Sequence, residues 1–152
     1  MKGLKLLLAC ILVLGLTACA SGEKALPAPG ALFEEIRNSV ELPGMIDVAE
    51  QMLEANTGIA SEEYTEAVYY ILSEGMSPDE IVILLAKDEA AAKSMEEKLA
   101  SWLSYREESA RVYLTEYMPL IQSGVIRRDG LTVSLIVSEQ VKEITAVYDA
   151  YK

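Results

Sequence analysis

Three side chains within one turn of a predicted helix could contact a ligand. Trp102 and Tyr105 offer aromatic faces of the kind that stack on a cell-wall glycan or a peptide, and Arg106 offers a cation that could orient an anionic ligand. Packing is the more common role of such residues, with Arg106 extended along the core or paired with a nearby glutamate. Trp102, Tyr105 and Arg106 are therefore our candidate ligand contacts, with packing as the alternative.

Histidine, which carries much enzymatic and metal chemistry, is missing from this 152-residue sequence. Its absence excludes Ser-His-Asp and Cys-His catalysis and removes the commonest transition-metal ligand. The glycine-rich motifs of nucleotide-binding proteins do not occur either. We therefore predict no catalytic residue, no metal site and no cofactor.

Carboxylates could still catalyse hydrolysis, as pairs of Asp and Glu residues do in glycosidases. Four pairs of glutamates adjacent in sequence stand out, but neighbouring residues on a helix do not face one another. We interpret these pairs as solvated surface. They are Glu34–Glu35, Glu62–Glu63, Glu96–Glu97 and Glu107–Glu108.

The N-terminal residues have the order of a secretory signal. A basic start is followed by an apolar run from Leu6 to Leu16, which is too short to span a bilayer. The next segment, Leu16-Thr17-Ala18-Cys19, resembles the lipobox of bacterial lipoproteins. This resemblance implies that residues 1–18 are a signal peptide and that the Cys19 thiol carries lipid, with acyl chains such as palmitate. The mature protein would then be anchored on the outer face of a membrane; secretion with an unmodified cysteine is the alternative.

Removal of residues 1–18 would leave a strongly acidic protein. It takes away Lys2 and Lys5 from 13 basic residues and none of the 24 acidic ones, so the formal net charge falls from −11 to −13. Such a charge argues against binding to nucleic acid or to anionic lipid headgroups, so the lipid would hold the membrane alone. Because Cys10 would be discarded and Cys19 acylated, no disulfide could form.

The mature chain is predicted to contain a tether and one folded domain. Residues 19–30 comprise the lipidated cysteine and a flexible tether, because small residues and two prolines provide nothing to pack. Residues 31–152 form a single, monomeric domain. Apolar spacing predicts a short helix over residues 32–40 and another over residues 45–55.

The rest of the domain shows two hairpins and two helices. Strands over residues 64–74 and 80–86 flank a turn, and the second strand is apolar on both faces, which predicts a central position. Asp129-Gly130 marks the second hairpin. Ser138 is predicted to cap a last helix over residues 139–151.

A long helix lies between the hairpins, capped by Asp88 and running from Glu89 to about Tyr117. One stripe of this helix should face the sheet, and it consists of Ala92, Met95, Leu99, Trp102, Arg106, Ala110, Tyr113 and Tyr117. The predicted fold class is α+β. An antiparallel sheet of about four strands, in two hairpins, packs with this long helix and with shorter N- and C-terminal helices.

Three segments give the chain a family resemblance. They are residues 79–88, where an acidic residue opens an aliphatic strand, Tyr117-Met118-Pro119, and residues 130–138. From about Val48 to Lys152 the chain resembles the domain of unknown function family 4358, which occurs in lipoproteins of Gram-positive bacteria, although residues 56–63 depart from the pattern. The resemblance implies the fold and a location outside the plasma membrane. It implies no activity.

Two functions therefore remain open. The first is a membrane-anchored extracytoplasmic lipoprotein that binds an envelope protein or a cell-wall ligand without catalysing a reaction. The alternative is a hydrolase that acts on cell-wall material through carboxylates alone. Two carboxyl groups about 5–10 Å apart in a deep cleft would favour the enzyme, whereas an aromatic patch on a shallow surface would favour binding.

Overall fold

The computed structural model describes residues 25–152, which form five α-helices and five strands. Two short 3-10 turns, Ser61–Glu63 and Thr115–Tyr117, lie between them. In chain order the elements are α1 (Pro29–Ser39), β1 (Met45–Asp47), α2 (Ala49–Thr57), β2 (Tyr64–Leu72), β3 (Glu80–Ala86), α3 (Glu89–Tyr113), α4 (Met118–Gln122), β4 (Val125–Asp129), β5 (Thr132–Val137) and α5 (Val141–Asp149).

The five strands form one antiparallel sheet in the order β1-β2-β3-β5-β4. The predicted α+β class and both predicted hairpins are confirmed. The β4–β5 turn is tight, since Asp129 pairs with Thr132 and only Gly130 and Leu131 lie between them. Gly130 has a φ of 61°, a left-handed conformation that glycine adopts without strain.

The edge strand β1 was not predicted, and the helix predicted over residues 45–55 is wrong at its start. Met45–Asp47 pair with the end of β2, and α2 begins only at Ala49. The Asp47 carboxylate accepts hydrogen bonds from the N–H groups of Ala49, at 3.0 Å, and Tyr69, at 3.1 Å. A three-residue strand is too short to show alternation, so pairing with β2 decides its structure.

Each face of the sheet is covered by its own hydrophobic core. In β3, Val82 and Leu84 face the core shared with α2, α3 and α4, whereas Ile81 and Ile83 face the core shared with α1 and α5. All four side chains are 0% exposed. This confirms the prediction that β3 is central and covered on both faces.

The long helix α3 begins as predicted and ends earlier. The Asp88 carboxylate caps it by accepting a hydrogen bond from the Ala91 N–H group at 2.8 Å. The helix stops at Tyr113, not near Tyr117, and Tyr113 is 82% exposed, so the predicted sheet-facing stripe is wrong at its end. Pro119 lacks the N–H donor that a continuous helix would need, and it lies in the first turn of the separate helix α4.

The first and last helices begin at other residues than predicted. α1 begins at Pro29, so the last two residues of the predicted tether belong to a helix, and a proline suits the first helical turn. α5 begins at Val141, and Ser138 does not cap it directly. The Ser138 hydroxyl instead accepts a hydrogen bond from the Gln140 N–H group, at 3.2 Å, in the turn before the helix.

Candidate functional site

The three predicted ligand contacts lie together on α3. The rings of Trp102 and Tyr105 stack with centroids 5.6 Å apart and planes inclined by 23°. The guanidinium carbon of Arg106 lies 5.6 Å from the centroid of the Trp102 ring. Tyr105 is 60% exposed, whereas Trp102 and Arg106 are partly buried. We call this aromatic pair, of which Tyr105 is the exposed member, the Trp102–Tyr105 surface.

Glu80, which the sequence analysis did not connect with these three residues, holds this group together from beneath. It is the first residue of β3, and its side chain is 0% exposed. Its carboxylate accepts a hydrogen bond from the Trp102 indole N–H at 2.7 Å and forms an ion pair with Arg106. Such partners are required because an unpaired charge inside a protein is strongly unfavourable. An acidic residue opening a strand that is apolar on both faces was the available signal.

Arg106 forms its described hydrogen bonds with other residues of the protein. Besides the ion pair with Glu80, its guanidinium donates to the Pro78 carbonyl oxygen at 3.3 Å. The geometry therefore supports the packing alternative for Arg106, in which it is the partner of a glutamate. Its charge is balanced, and the exposed part of the site is the aromatic pair.

A tyrosine on β2 completes the polar cluster under the aromatic pair. Tyr69 is 1% exposed, and its hydroxyl accepts a hydrogen bond from the Asn56 side-chain amide, at 3.1 Å, at the end of α2. Burial and the nearby Glu80 carboxylate raise the pKa of Tyr69 well above its ordinary value, so its phenol stays neutral. Four elements, α2, β2, β3 and α3, thus fix the position of Trp102.

Two open cavities flank Trp102. One, of about 420 Å³, lies between α2 and α3 and is lined by Asn56, Lys98 and Tyr105, among others. The other, of about 350 Å³, lies beside the β2–β3 turn and is lined by Met76 and Arg106. Lys98 forms an ion pair with Glu63, so both cations near the surface have carboxylate partners. The arrangement suits a ligand with an uncharged face, such as a sugar ring or an apolar peptide side chain.

A third cavity, of about 680 Å³, has a different character. It lies between the end of α1, the β2–β3 turn and the start of α5. Among the described residues that line it are Glu41, Asp79, Glu139 and Glu143, with no lysine or arginine. Asp79 is 7% exposed and accepts a hydrogen bond from Ser77.

The adjacent glutamates were interpreted as solvated surface, and this is wrong for Glu63, whose side chain is 18% exposed and bound by Lys98 and Ser94. Where the contacts of a pair are seen, its two carboxylates have separate partners. Glu34 contacts Arg37 at 2.5 Å, whereas its neighbour Glu35 accepts a hydrogen bond from the Tyr151 hydroxyl at 2.5 Å. Across residues 25–152, no group of three or more Asp, Glu or Cys side chains is arranged to hold a metal ion.

The predicted lipidation site lies outside the part of the chain that the structure describes. Cys19 and the whole of residues 1–18 precede Ala25, the first described residue. Among the helices from residue 25 onward, none has the length and apolar character needed to cross a membrane.

Comparison with curated proteins and with solved structures finds no match. A family model does match, over residues 38–138, which is well over half of the chain. The matched region contains all five strands, α3 and every residue of the cluster around Glu80. It also contains the three segments on which the resemblance was based. The chain therefore belongs to the family of the domain of unknown function DUF4358.

Proposed function

We propose that this chain is an extracytoplasmic lipoprotein, anchored through Cys19, whose domain binds an envelope protein or a cell-wall ligand without catalysing a reaction. The observation that carries the binding role is the Trp102–Tyr105 surface, a stacked pair in which Tyr105 is exposed and Trp102 is fixed from beneath by the buried Glu80. The anchor is supported by the Leu16-Thr17-Ala18-Cys19 segment after a basic and apolar start.

The physical case for binding is preorganisation. The hydrogen bond from Trp102 to Glu80 fixes the indole ring, so a ligand that stacks on it orders few further side chains. Tyr105 adds aromatic area with little conformational entropy to lose. Because Arg106 is already neutralised by Glu80, recognition would depend on stacking and hydrogen bonding rather than on net charge.

The anchor has a direct test. The full precursor and its Cys19→Ala variant are expressed in a bacterium that processes lipoproteins, and each is partitioned between aqueous and detergent phases. We expect the unmodified precursor to yield a protein in the detergent phase and Cys19→Ala to move to the aqueous phase. Equal partitioning of the two forms would contradict the anchor.

The binding role is tested with two tyrosines of the same helix. Tyr105 stacks on Trp102, whereas Tyr113 is 82% exposed near the end of α3 and serves as the matched control. We expect Tyr105→Ala to weaken binding to cell-wall fragments by about tenfold, the scale of one aromatic contact, and Tyr113→Ala to leave it unchanged. Equal losses in both variants would remove the proposed location.

A carboxylate-dependent hydrolase is the second candidate, and the acidic cavity favours it. Asp79 is the most buried of its carboxylates, with Glu143 on α5 also in the lining. The test is turnover of cell-wall substrates by Asp79→Asn and Glu143→Gln, with the exposed Glu50→Gln as control. Turnover that either cavity variant abolishes, with the fold intact and Glu50→Gln active, would replace the binding proposal with the enzyme.

A further inference from the structure

The described chain begins at one end of the sheet, called here the tether end. Ala25 and Leu26 line a cavity of about 570 Å³ together with Leu85, at the end of β3, and Leu131, in the β4–β5 turn. The first turn of α1 is attached to the same end, since the Gly30 N–H group donates to the Glu66 carboxylate at 3.0 Å. Packing thus places the first described residues, Ala25 and Leu26, at this end of the sheet.

The Trp102–Tyr105 surface lies toward the opposite end, called here the far end. Glu80, beneath Trp102, is separated from Leu85 by about 17 Å along β3, at roughly 3.3 Å per residue. From Trp102, α3 continues to Tyr113, a further rise of about 16 Å. The far end also carries the β2–β3 turn and the acidic cavity.

The length of the tether restricts how the domain can stand on a membrane. A fully extended chain spans at most about 3.6 Å per residue, so Ala25 lies within about 22 Å of a lipidated Cys19. By these two distances the end of α3 at Tyr113 lies about 33 Å from the tether end, so the tether is too short for that end to face the bilayer. The tether end must therefore be nearer to the bilayer than the end of α3.

The surfaces of the two ends agree with this direction. Leu131 is 37% exposed at the tip of the β4–β5 turn, and the cavity beside it contains Arg128 and Lys152. Arg128 pairs with Glu89 and Glu96, and Lys152 pairs with Asp149, so the tether end carries charges of both signs. The far-end cavity is lined by acidic residues with no lysine or arginine, and an anionic lipid surface would repel it.

We propose that the tether end rests on the lipid surface, with Leu131 reaching the headgroup layer and the Trp102–Tyr105 surface facing away from the membrane. This inference rests on the proposed lipid at Cys19. It also specifies a direction for binding: the ligand reaches the Trp102–Tyr105 surface from the side opposite the bilayer. A ligand about 17 Å or more from the lipid surface, in the cell wall or on another envelope protein, fits this orientation better than a lipid.

The test uses the full, lipidated protein on vesicles that contain an anionic phospholipid and a headgroup-attached quencher. Leu131→Cys and Met76→Cys each receive the same fluorophore; Met76 is 71% exposed in the β2–β3 turn at the far end. Circular dichroism verifies that both variants are folded. We expect quenching to be several-fold stronger at position 131 than at position 76.

The outcomes separate this inference from the anchor itself. Protein that floats with the vesicles but shows equal quenching at the two positions, or stronger quenching at position 76, would overturn the orientation alone. Wild-type protein that fails to float with the vesicles would overturn the lipid anchor and the orientation together.

Discussion

The two faces of the sheet bury polar groups of different kinds. On the α3 face the central contact is charged, because Glu80 is fully buried and pairs with Arg106 and Trp102. On the face covered by α1 and α5 the fully buried polar pair is neutral, since the Tyr148 hydroxyl donates to the Ser134 hydroxyl at 2.9 Å. The charged group on this face, Arg127, lies at its edge and pairs with Asp149, which is 53% exposed. The charged face carries the candidate site, and the neutral face has the contacts of a structural core.

The neutral face, named for this fully buried hydroxyl pair, also contains a pair of stacked aromatic rings. The rings of Phe33 and Tyr70 stack with centroids 3.5 Å apart, joining α1 to β2. Burial raises the pKa of Tyr148 to about 12, so its phenol remains neutral at physiological pH. Removing one partner of a neutral pair lowers the free energy of unfolding moderately, whereas removing the cation of a buried carboxylate lowers it strongly. The comparison therefore predicts unequal responses to substitution.

The largest effect is expected from Arg106→Met. This variant keeps a long apolar stem but leaves the buried Glu80 carboxylate without its cation, which should lower the free energy of unfolding by about 3–5 kcal/mol. Urea denaturation measures the change. Arg111→Met, on the exposed side of the same helix, is the control and should stay within about 0.5 kcal/mol of wild type.

A double variant sharpens this prediction. Arg106→Met leaves the buried Glu80 carboxylate without a cation, and Glu80→Gln removes that carboxylate. The double variant should therefore be more stable than Arg106→Met alone. Additive losses from the two substitutions would show that the ion pair is not the reason for the sensitivity of this face.

The next effect is pH-dependent and concerns Glu63, which joins the Ser61–Glu63 turn to α3. Burial raises the pKa of Glu63, but hydrogen bonds from Lys98, Ser94 at 3.0 Å and the Ala60 N–H group at 2.9 Å outweigh it, so the pKa is lowered from 4.5. A lowered pKa in the folded state means that the stabilisation is complete above 4.5 and is lost as the pH falls through the lower value.

We therefore expect Glu63→Gln to lower the free energy of unfolding by about 1.5 kcal/mol at neutral pH. The difference from wild type should close as the pH falls well below 4.5. Urea titrations at several pH values measure this convergence, and a difference that stays constant with pH would rule out the carboxylate as its source.

A smaller effect is expected on the neutral face. Tyr148→Phe removes one hydrogen bond to Ser134 and keeps the ring, so the free energy of unfolding should fall by about 1 kcal/mol. Tyr113→Phe, at an exposed position, is the matched control. If Tyr148→Phe were as damaging as Arg106→Met, the contrast between the two faces would be false.

The smallest effect on stability is expected from Tyr105→Ala. Tyr105 is 60% exposed, and its only described ring contact is the stack on Trp102. The free energy of unfolding should therefore change by no more than about 0.5 kcal/mol. Thermal denaturation measures this. A large loss of stability would mean that Tyr105 is part of the core, which would argue against the aromatic pair as a binding surface.

The fold was largely predictable where pattern and local chemistry agree. The apolar run in β3, the Asp88 cap and the Asp129-Gly130 turn each report a local requirement that the tertiary structure keeps. The edge strand Met45–Asp47 was not predictable, because three residues show no periodicity and their conformation depends on pairing with β2. The end of α3 at Tyr113 was not predictable either, since the apolar spacing in the sequence continues past this residue.

The candidate site was predictable only in part. Trp102, Tyr105 and Arg106 could be grouped from their spacing on one helix, and the structure brings them together. Glu80 could not be assigned to them, because it lies 22 residues from Trp102 in sequence and next to turn residues. Contacts between a strand and a helix that are distant in sequence leave no periodic signal.

The most direct test of the binding role uses the one tryptophan in the chain, which is Trp102 itself. Cell-wall fragments are titrated into the whole protein while tryptophan emission is followed, and Tyr105→Ala and Tyr113→Ala are titrated in parallel. We predict a saturable change in emission that Tyr113→Ala retains and Tyr105→Ala shifts to about tenfold higher ligand concentration. Binding detected by calorimetry without any change in Trp102 emission, and with equal affinity in both variants, would contradict the account.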